Sequence, residues 1–260
     1  MNLRKIDKKQ ILFFVKNLIF PLLALAIILI IWVIASAIKN NPLVLPMPKV
    51  VLEKFFTLGK EPSFWKSVGA TILRSFIAFI ISFVAALSLA VLAGNFRSLD
   101  KVFSPIISFL RAAPTVAVIL IIYAFMTTDV MTVVVGFLIA FPIMYSSFFS
   151  AISGLDKNLL QMAKIYKVSH LSKVFNIYIL SITDNLFDTS KSTLSLTIKV
   201  VIAAEILTLV SPGVGGKIQA AYASFEIQYL LAWTLMAIVL SFAAEIFVGI
   251  LKKIFVRWEK

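Results

Sequence analysis

Cysteine is absent from this sequence of 260 residues, and histidine occurs only once, at His170. Without cysteine the chain can form no disulfide bond and no thiolate metal site. A single histidine is also too few for a histidine-based site, so no metal site is predicted. Acidic residues are scarce as well, with 12 Asp and Glu against 25 Lys and Arg. This scarcity disfavours an enzyme that works by clustered acid and base groups, and no catalytic residue is predicted.

Charged residues of either sign make up only 14% of the chain, whereas 61% of its residues are hydrophobic and its mean hydropathy is +1.02. Soluble domains average about 25% charged and about 45–50% apolar residues. The surplus predicts a multi-pass membrane protein whose outer surface faces the lipid bilayer. The net charge of +13 comes from basic residues in the gaps between apolar runs. That pattern is typical of loops beside anionic headgroups, and no nucleic-acid partner is expected.

Six apolar runs are candidates for membrane-spanning helices, which need about 20 apolar residues each. They cover residues 17–38, 69–94, 114–126, 131–152, 181–209 and 229–251. The third run is long enough only if residues 103–113 join it, with Pro105 and Pro114 as bends. The charged residues of the fifth run make it the least apolar: Asp184, Asp188, Lys191, Lys199 and Glu205. The sequence thus predicts an all-α membrane protein with about six transmembrane helices.

The distribution of lysine and arginine between the loops predicts the orientation of these helices. With the N-terminus in the cytoplasm, basic residues flank the inner ends of most spans, as the positive-inside rule requires. Both termini are then cytoplasmic. The first run is too long for the apolar part of a cleavable signal peptide, so a retained anchor is expected after a cytoplasmic tail of residues 1–16. Residues 17–260 are predicted to form one transmembrane domain in the cell (inner) membrane.

An outer loop follows the first run and carries four apolar residues on one face at helical spacing. They are Val51, Leu52, Phe55 and Phe56. This pattern predicts a short helix that rests on the membrane surface; docking of a partner is the less favoured alternative.

Residues 154–182 form the predicted cytoplasmic segment between the fourth and fifth runs. An apolar stripe at helical spacing follows its first half: Leu159, Met162, Ala163 and Tyr166. Ser169 is suited to cap a second helix, because its hydroxyl can accept a free backbone N–H. The pattern predicts a helix, a turn and a second helix at the cytoplasmic surface.

This segment resembles the EAA loop of bacterial ABC-importer permeases, in which Glu-Ala-Ala precedes a Gly and, further on, a hydrophobic-Leu-Pro sequence. The corresponding residues are Gln161, Met162, Ala163, Lys167, Leu180 and Ser181. Four more stretches resemble permeases of the nitrate/sulfonate/taurine type: VLPMPKVVLE (44–53), FLRAAPTVAVILI (109–121), IAAEIL (202–207) and SPGVGGKI (211–218). The resemblance covers nearly the whole chain in order.

Three positions depart from the motif: Gln161 replaces its Glu, Lys167 its Gly and Ser181 its Pro. A left-handed backbone conformation costs a lysine roughly 1 kcal/mol or more, whereas it costs a glycine little. We therefore expect a turn of different shape at Lys167.

The resemblance implies a type I ABC-importer permease that forms the translocation path for a small solute and has no ATPase motif of its own. The implied partners are a second permease copy, separate ATPase subunits and an extracytoplasmic solute-binding protein. ATP and Mg²⁺ would be bound by the ATPase, and no cofactor is expected in this chain. The EAA-like loop, 153–180, would couple to the ATPase through Leu159, Gln161, Met162, Ala163, Lys164, Lys167 and Ser169.

The glycine-rich stretch 213–217 lacks the spacing of a phosphate-binding loop. Its predicted place outside the membrane favours an external-gate loop that contains Gly213 and Gly215. Lys199 and Glu205 are six residues apart on the fifth run and point in partly different directions. Each is expected either to line the translocation path or to contact another span, because both placements keep a charged side chain away from lipid.

Arg74 and Arg111 lie near the predicted ends of spans, where a long side chain can extend towards the headgroups. An ion-coupled secondary transporter or channel subunit is the alternative function. That class is typically built from repeated halves, and the sequence shows no repeat.

Overall fold

The computed structural model of the protein describes residues 8–256, and every regular element in this range is helical. The helices are α1 (Lys8–Lys39), α2 (Pro48–Leu58), α3 (Pro62–Asn95), α4 (Arg97–Ala112), α5 (Thr115–Tyr123), α6 (Thr128–Ser153), α7 (Lys157–Ile165), α8 (His170–Lys173), a π-helical turn (Val174–Ile179), α9 (Thr183–Thr208), α10 (Val214–Ala223) and α11 (Ile227–Phe255). The predicted all-α fold is confirmed.

The direction of the long helices follows from contacts near both of their ends. Gly94 at the end of α3 lies beside Ile152 at the end of α6, and Arg74, about a third of the way along α3, contacts Asp129 at the start of α6. The two helices are therefore parallel. Arg74 also contacts Glu205, near the end of α9, so α9 runs in the opposite direction. We call the end of the bundle that holds Gly94 and Ile152 the inner end, and the end that holds Arg74 and Glu205 the outer end.

Four helices of the described chain are long and apolar enough to cross a membrane, namely α1, α3, α6 and α11. The helices α4 and α5 qualify only as a pair, and they meet at an angle of 95°. The break falls at Ala113 and Pro114, whereas α4 continues through Pro105. Because α3 ends at the inner end and α6 begins at the outer end, the α4–α5 pair must return the chain across the bundle. The predicted joining of this run with residues 103–113 and the bend at Pro114 are confirmed, whereas the predicted bend at Pro105 is wrong, because the helix continues through that residue.

Helix α9 does not reach the hydropathy of the other spans because it carries five charged residues. Its 26 residues nevertheless extend over about 39 Å, antiparallel to α6, which has the same length. Thr197 and Val201 of α9 pack beside Gly136 of α6 in the middle of the bundle. Packing therefore makes α9 the sixth crossing.

Helix α1 contacts the rest of the chain near its own C-terminal end. The indole Nε1 of Trp32 donates a hydrogen bond to the carbonyl of Pro46 at 3.1 Å, and Leu29 shares a groove with Leu231 near the start of α11. The start of α1 and the end of α11 therefore lie at the same, inner, end. This parity agrees with the predicted placement of both termini on one side, although the first half of the tail 1–16 and the last four residues lie outside the described range.

The predicted short helix of the outer loop is α2, and it packs against α11. Val51, on the buried face of this helix, is 1% exposed, whereas Phe56 is 66% exposed. Phe64, in the first turn of α3, packs on Phe55 of α2 with ring centroids 6.2 Å apart and on Trp233 of α11 with ring centroids 4.8 Å apart. The helix is therefore docked on the bundle by one face and exposes another, and its contact with the membrane surface stays a prediction.

Candidate functional site

The EAA-like segment lies at the inner end and consists of α7, a turn, α8 and the π-helical turn that leads into α9. Asp156 begins it, and its Oδ1 accepts the backbone N–H of Asn158 at 2.8 Å. The hydroxyl of Ser169 accepts the N–H of Ser172 at 3.2 Å. The predicted helix, turn and second helix are thus present, and Ser169 is the cap of the second helix, as predicted.

The turn after α7 has the left-handed shape that a glycine would favour. Lys167 has a φ of 50°, and the N–H of Val168 donates to the carbonyl of Ala163 at 2.9 Å. This six-residue hydrogen bond closes a helix through a left-handed residue, as in a Schellman motif. The expectation of a differently shaped turn at Lys167 is wrong. The hydrogen bond to the carbonyl of Ala163 offsets part of the cost of the left-handed conformation, which is about 1–2 kcal/mol for a single residue.

The apolar stripe of α7 is divided between two environments. Ala163 is 6% exposed, and Leu160, which lies beside the stripe, packs on the main hydrophobic core. Met162 and Tyr166 are 54% and 76% exposed, and Gln161 is exposed as well. The chain itself therefore covers only one edge of the stripe. The backbone of Lys164 lies in α7, but its side chain is outside the described part of the structure.

Glu205 of α9 is completely buried at the outer end, where donors surround both of its oxygens. The guanidinium of Arg74 donates to Oε1 at 2.8 Å, the backbone N–H of Gly215 donates to Oε2 at 2.9 Å, and the hydroxyl of Thr71 lies within 3.0 Å of both oxygens. In addition, Thr71 accepts the N–H of Val214 at 2.9 Å. A buried carboxylate with this number of charge-assisted hydrogen bonds is held in one geometry.

Arg74 links three parts of the chain and does not extend to the headgroups. Besides Glu205 it donates through Nη1 to the carbonyl of Pro212 at 2.7 Å and through Nε to Asp129 at 3.1 Å. It is only 8% exposed. The expectation that Arg74 snorkels is therefore wrong, because a buried acid on another helix lies within its reach. For Glu205 the structure shows a contact with another span, one of the two alternatives.

The glycines of the predicted external-gate stretch allow the start of α10 to approach this carboxylate. A Cβ on Gly213 would lie 2.8 Å from the carboxylate carbon of Glu205, and one on Gly215 would lie 2.3 Å from the carbonyl oxygen of Ile202. The free N–H groups at the start of a helix favour an anion, and here the anion is the protein's own Glu205. Gly213 and Gly215 therefore lie at the outer end, the side of the bundle on which the sequence analysis places the external-gate loop.

Lys199 is exposed, unlike Glu205, although both belong to α9. The spacing of Lys199 places it on the same face as Asn185 and Ser192, seven residues apart in each case. The doubt about a direct pair of Lys199 with Glu205 is confirmed. Ser192 is exposed as well, so α9 presents these two polar side chains to its surroundings, whereas Asn185 hydrogen-bonds to Ser147 of α6 at 3.2 Å.

The comparisons with known proteins agree with this architecture. A family model described as binding-protein-dependent transport system inner membrane component matches residues 84–257. The chain belongs to this family. It is therefore a multi-pass membrane permease, the membrane component of an ABC importer, and the family match supports a transport role over an enzymatic one.

Two curated relatives cover nearly the whole chain. SsuC of Bacillus subtilis (strain 168), named for the transport of aliphatic sulfonates, is 24% identical over 94% of this chain and 87% of its own length. The nitrate import permease protein NrtB of Synechocystis sp. is 25% identical over 100% of this chain and 98% of its own length. The permease thus resembles the nitrate and sulfonate group, as its sequence motifs predict.

A solved structure shows the same fold. It is the crystal structure of a bacterial alginate ABC transporter in complex with an alginate pentasaccharide-bound periplasmic protein. The alignment has a TM-score of 0.65 with 13% identity and covers 92% of this chain and 96% of that one. The type I importer architecture predicted for the permease is confirmed.

Proposed function

We propose that this permease is driven by separate ATPase subunits that dock on α7 at the inner, cytoplasmic end. The observation that carries the proposal is the division of α7 into a buried edge at Ala163 and an exposed apolar edge at Met162 and Tyr166. A surface helix can transmit a movement of the ATPase to the membrane spans only if one of its faces is fixed to the bundle and another is free to bind the ATPase. ATP and Mg²⁺ belong to the ATPase, since the glycine stretch 213–217 faces the other end and lacks a phosphate-loop pattern.

The translocation path is proposed to lie where two permease copies meet. Lys199 supports this placement, because a charged side chain on a spanning helix faces an aqueous path or a protein partner and avoids lipid. A homodimer would bring two such faces of α9 towards each other. Glu205 contributes to the path indirectly, since it fixes the start of α10 beside α9 at the outer end.

The extracytoplasmic solute-binding protein is expected to deliver its solute at the outer end, near the gate stretch that contains Gly213 and Gly215. The two curated relatives are named for aliphatic sulfonates and for nitrate, both of which are anions. We propose that the solute of the present permease is an anion as well. The protein that carries out these steps resides in the cell (inner) membrane, with both termini in the cytoplasm.

The proposal is tested by reconstitution of the permease with its ATPase and binding protein in liposomes. We expect uptake of a labelled solute only when ATP is inside with the ATPase and the binding protein is outside. Uptake that follows an imposed proton or sodium gradient without ATP would instead favour an ion-coupled transporter. A Lys199→Ala variant is expected to alter the uptake rate, and unchanged kinetics would make Lys199 a structural residue.

A further inference from the structure

A polar groove of about 450 Å³ lies between α4, α6 and α9 towards the inner end. Its lining is mainly hydroxyl and amide groups: Arg111, Ile143, Ser146, Ser147, Ser150, Ala151 and Asn185. Ser146 is seven residues from the end of α6, hence about 10 Å from it along the helix. The volume falls in the range of about 300–1,000 Å³ that small-molecule sites occupy. A polar groove at this depth contrasts with the apolar side chains exposed elsewhere on the spans.

Arg111 is the charged group of this groove. It lies in the last turn of α4, is exposed, and makes one long hydrogen bond, from Nη1 to the hydroxyl of Ser146 at 3.5 Å. No acidic residue lines the groove. Of the acids at the inner end, Asp100 accepts the hydroxyl of Tyr145 at 3.1 Å, and Asp184 and Asp188 both pair with Lys252 at 3.0 Å. Most of the five N–H donors of Arg111 are therefore available to a ligand.

The hydroxyls beside Arg111 differ in how far the protein itself engages them. The hydroxyl of Ser146 donates to the carbonyl of Pro142 at 2.8 Å, and the hydroxyl of Ser147 bonds to Asn185 at 3.2 Å and to Thr189 at 2.6 Å. Ser150 is exposed, and its hydroxyl makes no hydrogen bond within residues 8–256. A guanidinium with a free hydroxyl beside it binds the oxygens of an oxyanion at fixed geometry, which a lysine or a neutral groove does less well.

We propose that this groove is an oxyanion subsite of the translocation path, in which Arg111 and Ser150 hold the negatively charged group of the solute near the inner end. The inference rests on the proposed function, because it assumes that the solute passes along the polar face of α9 to which Asn185 belongs. The ligand class is a small sulfonate, nitrate or similar oxyanion. The phosphate of a membrane lipid shares this chemistry, so the experiment must separate the two sources.

The absence of cysteine from the chain permits a direct test with one introduced thiol. Ser150→Cys is prepared in the full chain in phosphatidylcholine nanodiscs and treated with an anionic sulfonatoethyl or a cationic trimethylammonium-ethyl methanethiosulfonate. The measured quantity is the ratio of the two modification rates, which cancels any effect of Arg111 on the ionisation of the thiol itself. Ser224→Cys, an exposed position after α10 at the outer end, corrects for the intrinsic difference between the reagents.

We expect the corrected anion-to-cation ratio at Ser150→Cys to be about tenfold, as one nearby positive charge attracts one reagent and repels the other. Adding Arg111→Gln should bring the ratio close to that at Ser224→Cys, while Arg111→Lys should keep most of the preference. Methanesulfonate or nitrate added in excess should slow modification by the anionic reagent. A ratio that Arg111→Gln leaves unchanged would overturn the proposal.

Lipid-free detergent micelles provide the second arm. If the anionic reagent reacts only after phospholipid is removed, the groove holds a lipid headgroup and the proposed subsite for a solute is wrong. Equal reaction in nanodiscs and micelles, with protection by methanesulfonate, supports it. Neither arm requires the ATPase or the binding protein. Failure of this test and failure of ATP-dependent uptake are therefore separate results.

Discussion

The carboxylate of Glu205 joins three parts of the outer end through its own contacts and those of its partner Arg74. Its oxygens accept hydrogen bonds from the guanidinium of Arg74 in α3 and from the N–H of Gly215 in α10. Arg74 also donates a hydrogen bond to Asp129 of α6. Because this carboxylate is fully buried, its hydrogen bonds are not replaced by water when one partner is removed. We interpret these residues as the clamp that sets the position of the outer gate relative to the spans.

Glu205→Gln should therefore weaken the fold strongly. The amide has no charge for Arg74 and presents an NH₂ group where the carboxylate accepts N–H donors. Arg74 keeps its ion pair with Asp129, but the NH₂ group of the glutamine leaves one of the buried donors without an acceptor, which predicts a loss of about 3 kcal/mol of unfolding free energy. Thermal unfolding in detergent provides the measurement. Glu226→Gln, the same change at an exposed position before α11, should leave stability unchanged; equal effects of the two variants would contradict the account.

The glycines near this clamp give a second prediction. A Cβ on Gly216 would lie 1.9 Å from the backbone carbonyl oxygen of Val210, so Gly216→Ala must displace backbone. We expect a loss of about 1–3 kcal/mol, typical of overpacking. Gly249→Ala is the matched control, since nothing lies within 4 Å of its Cβ, and alanine is the better helix former. Gly249→Ala should thus be neutral or stabilising, and a loss at Gly249 as large as at Gly216 would argue against the close approach.

Sequence reasoning at the level of residues found the charges but not their partners. The charge of Glu205 in a spanning run predicted either a place on the translocation path or a contact with another span, and the partner that decides between them, Arg74, is 131 positions away. Periodicity relates residues of one helix only, so it could compare Glu205 with Lys199 and had no means to find α3. The sequence does contain a hint of this pair, because Arg74 and Glu205 carry opposite charges within two spanning runs, and such charges tend to pair.

Among the elements, α7 connects the surface of the bundle to its core. Leu160 packs on the main core and Ala163 is buried, so a force on the exposed side of α7 reaches the spans through these contacts. The sequence pattern identified this helix and its capped successor. It did not show which edge of the stripe faces the bundle, because a 3.6-residue period fixes relative directions and not the absolute one.

Ala163→Glu is expected to uncouple transport from ATP hydrolysis. A bulky charge at this buried position would displace α7 from the bundle, because a buried charge without a partner is costly. ATPase activity of the reconstituted complex should become independent of the binding protein, and uptake should fall about tenfold or more. Gln161→Glu is the control, because it adds the same charge at an exposed position of this helix and restores the Glu of the family motif, and it should preserve both activities. Retained coupled uptake in Ala163→Glu would remove α7 from the mechanism.

On the scale of the whole molecule, six crossings place the start of α1, the end of α11 and α7 at one end and the gate stretch at the other. This parity and the all-helical fold were predictable because long apolar runs leave few alternatives. The 95° break between α4 and α5 was predictable only as a bend near Pro114, since its angle depends on packing. The groove beside Arg111 combines residues of three helices, which no local pattern could place together.

The central claim is that an ATPase acts on the inner end through α7, and cross-linking from α7 tests it most directly. Met162→Cys, exposed on this helix, carries a photoreactive maleimide in membranes that contain the complete transporter, and Ser224→Cys at the outer end is the reference position. The account predicts a cross-link between Met162→Cys and the ATPase subunit, and none to the ATPase from Ser224→Cys. A cross-link of Met162→Cys to the solute-binding protein, with no ATPase product, would contradict it.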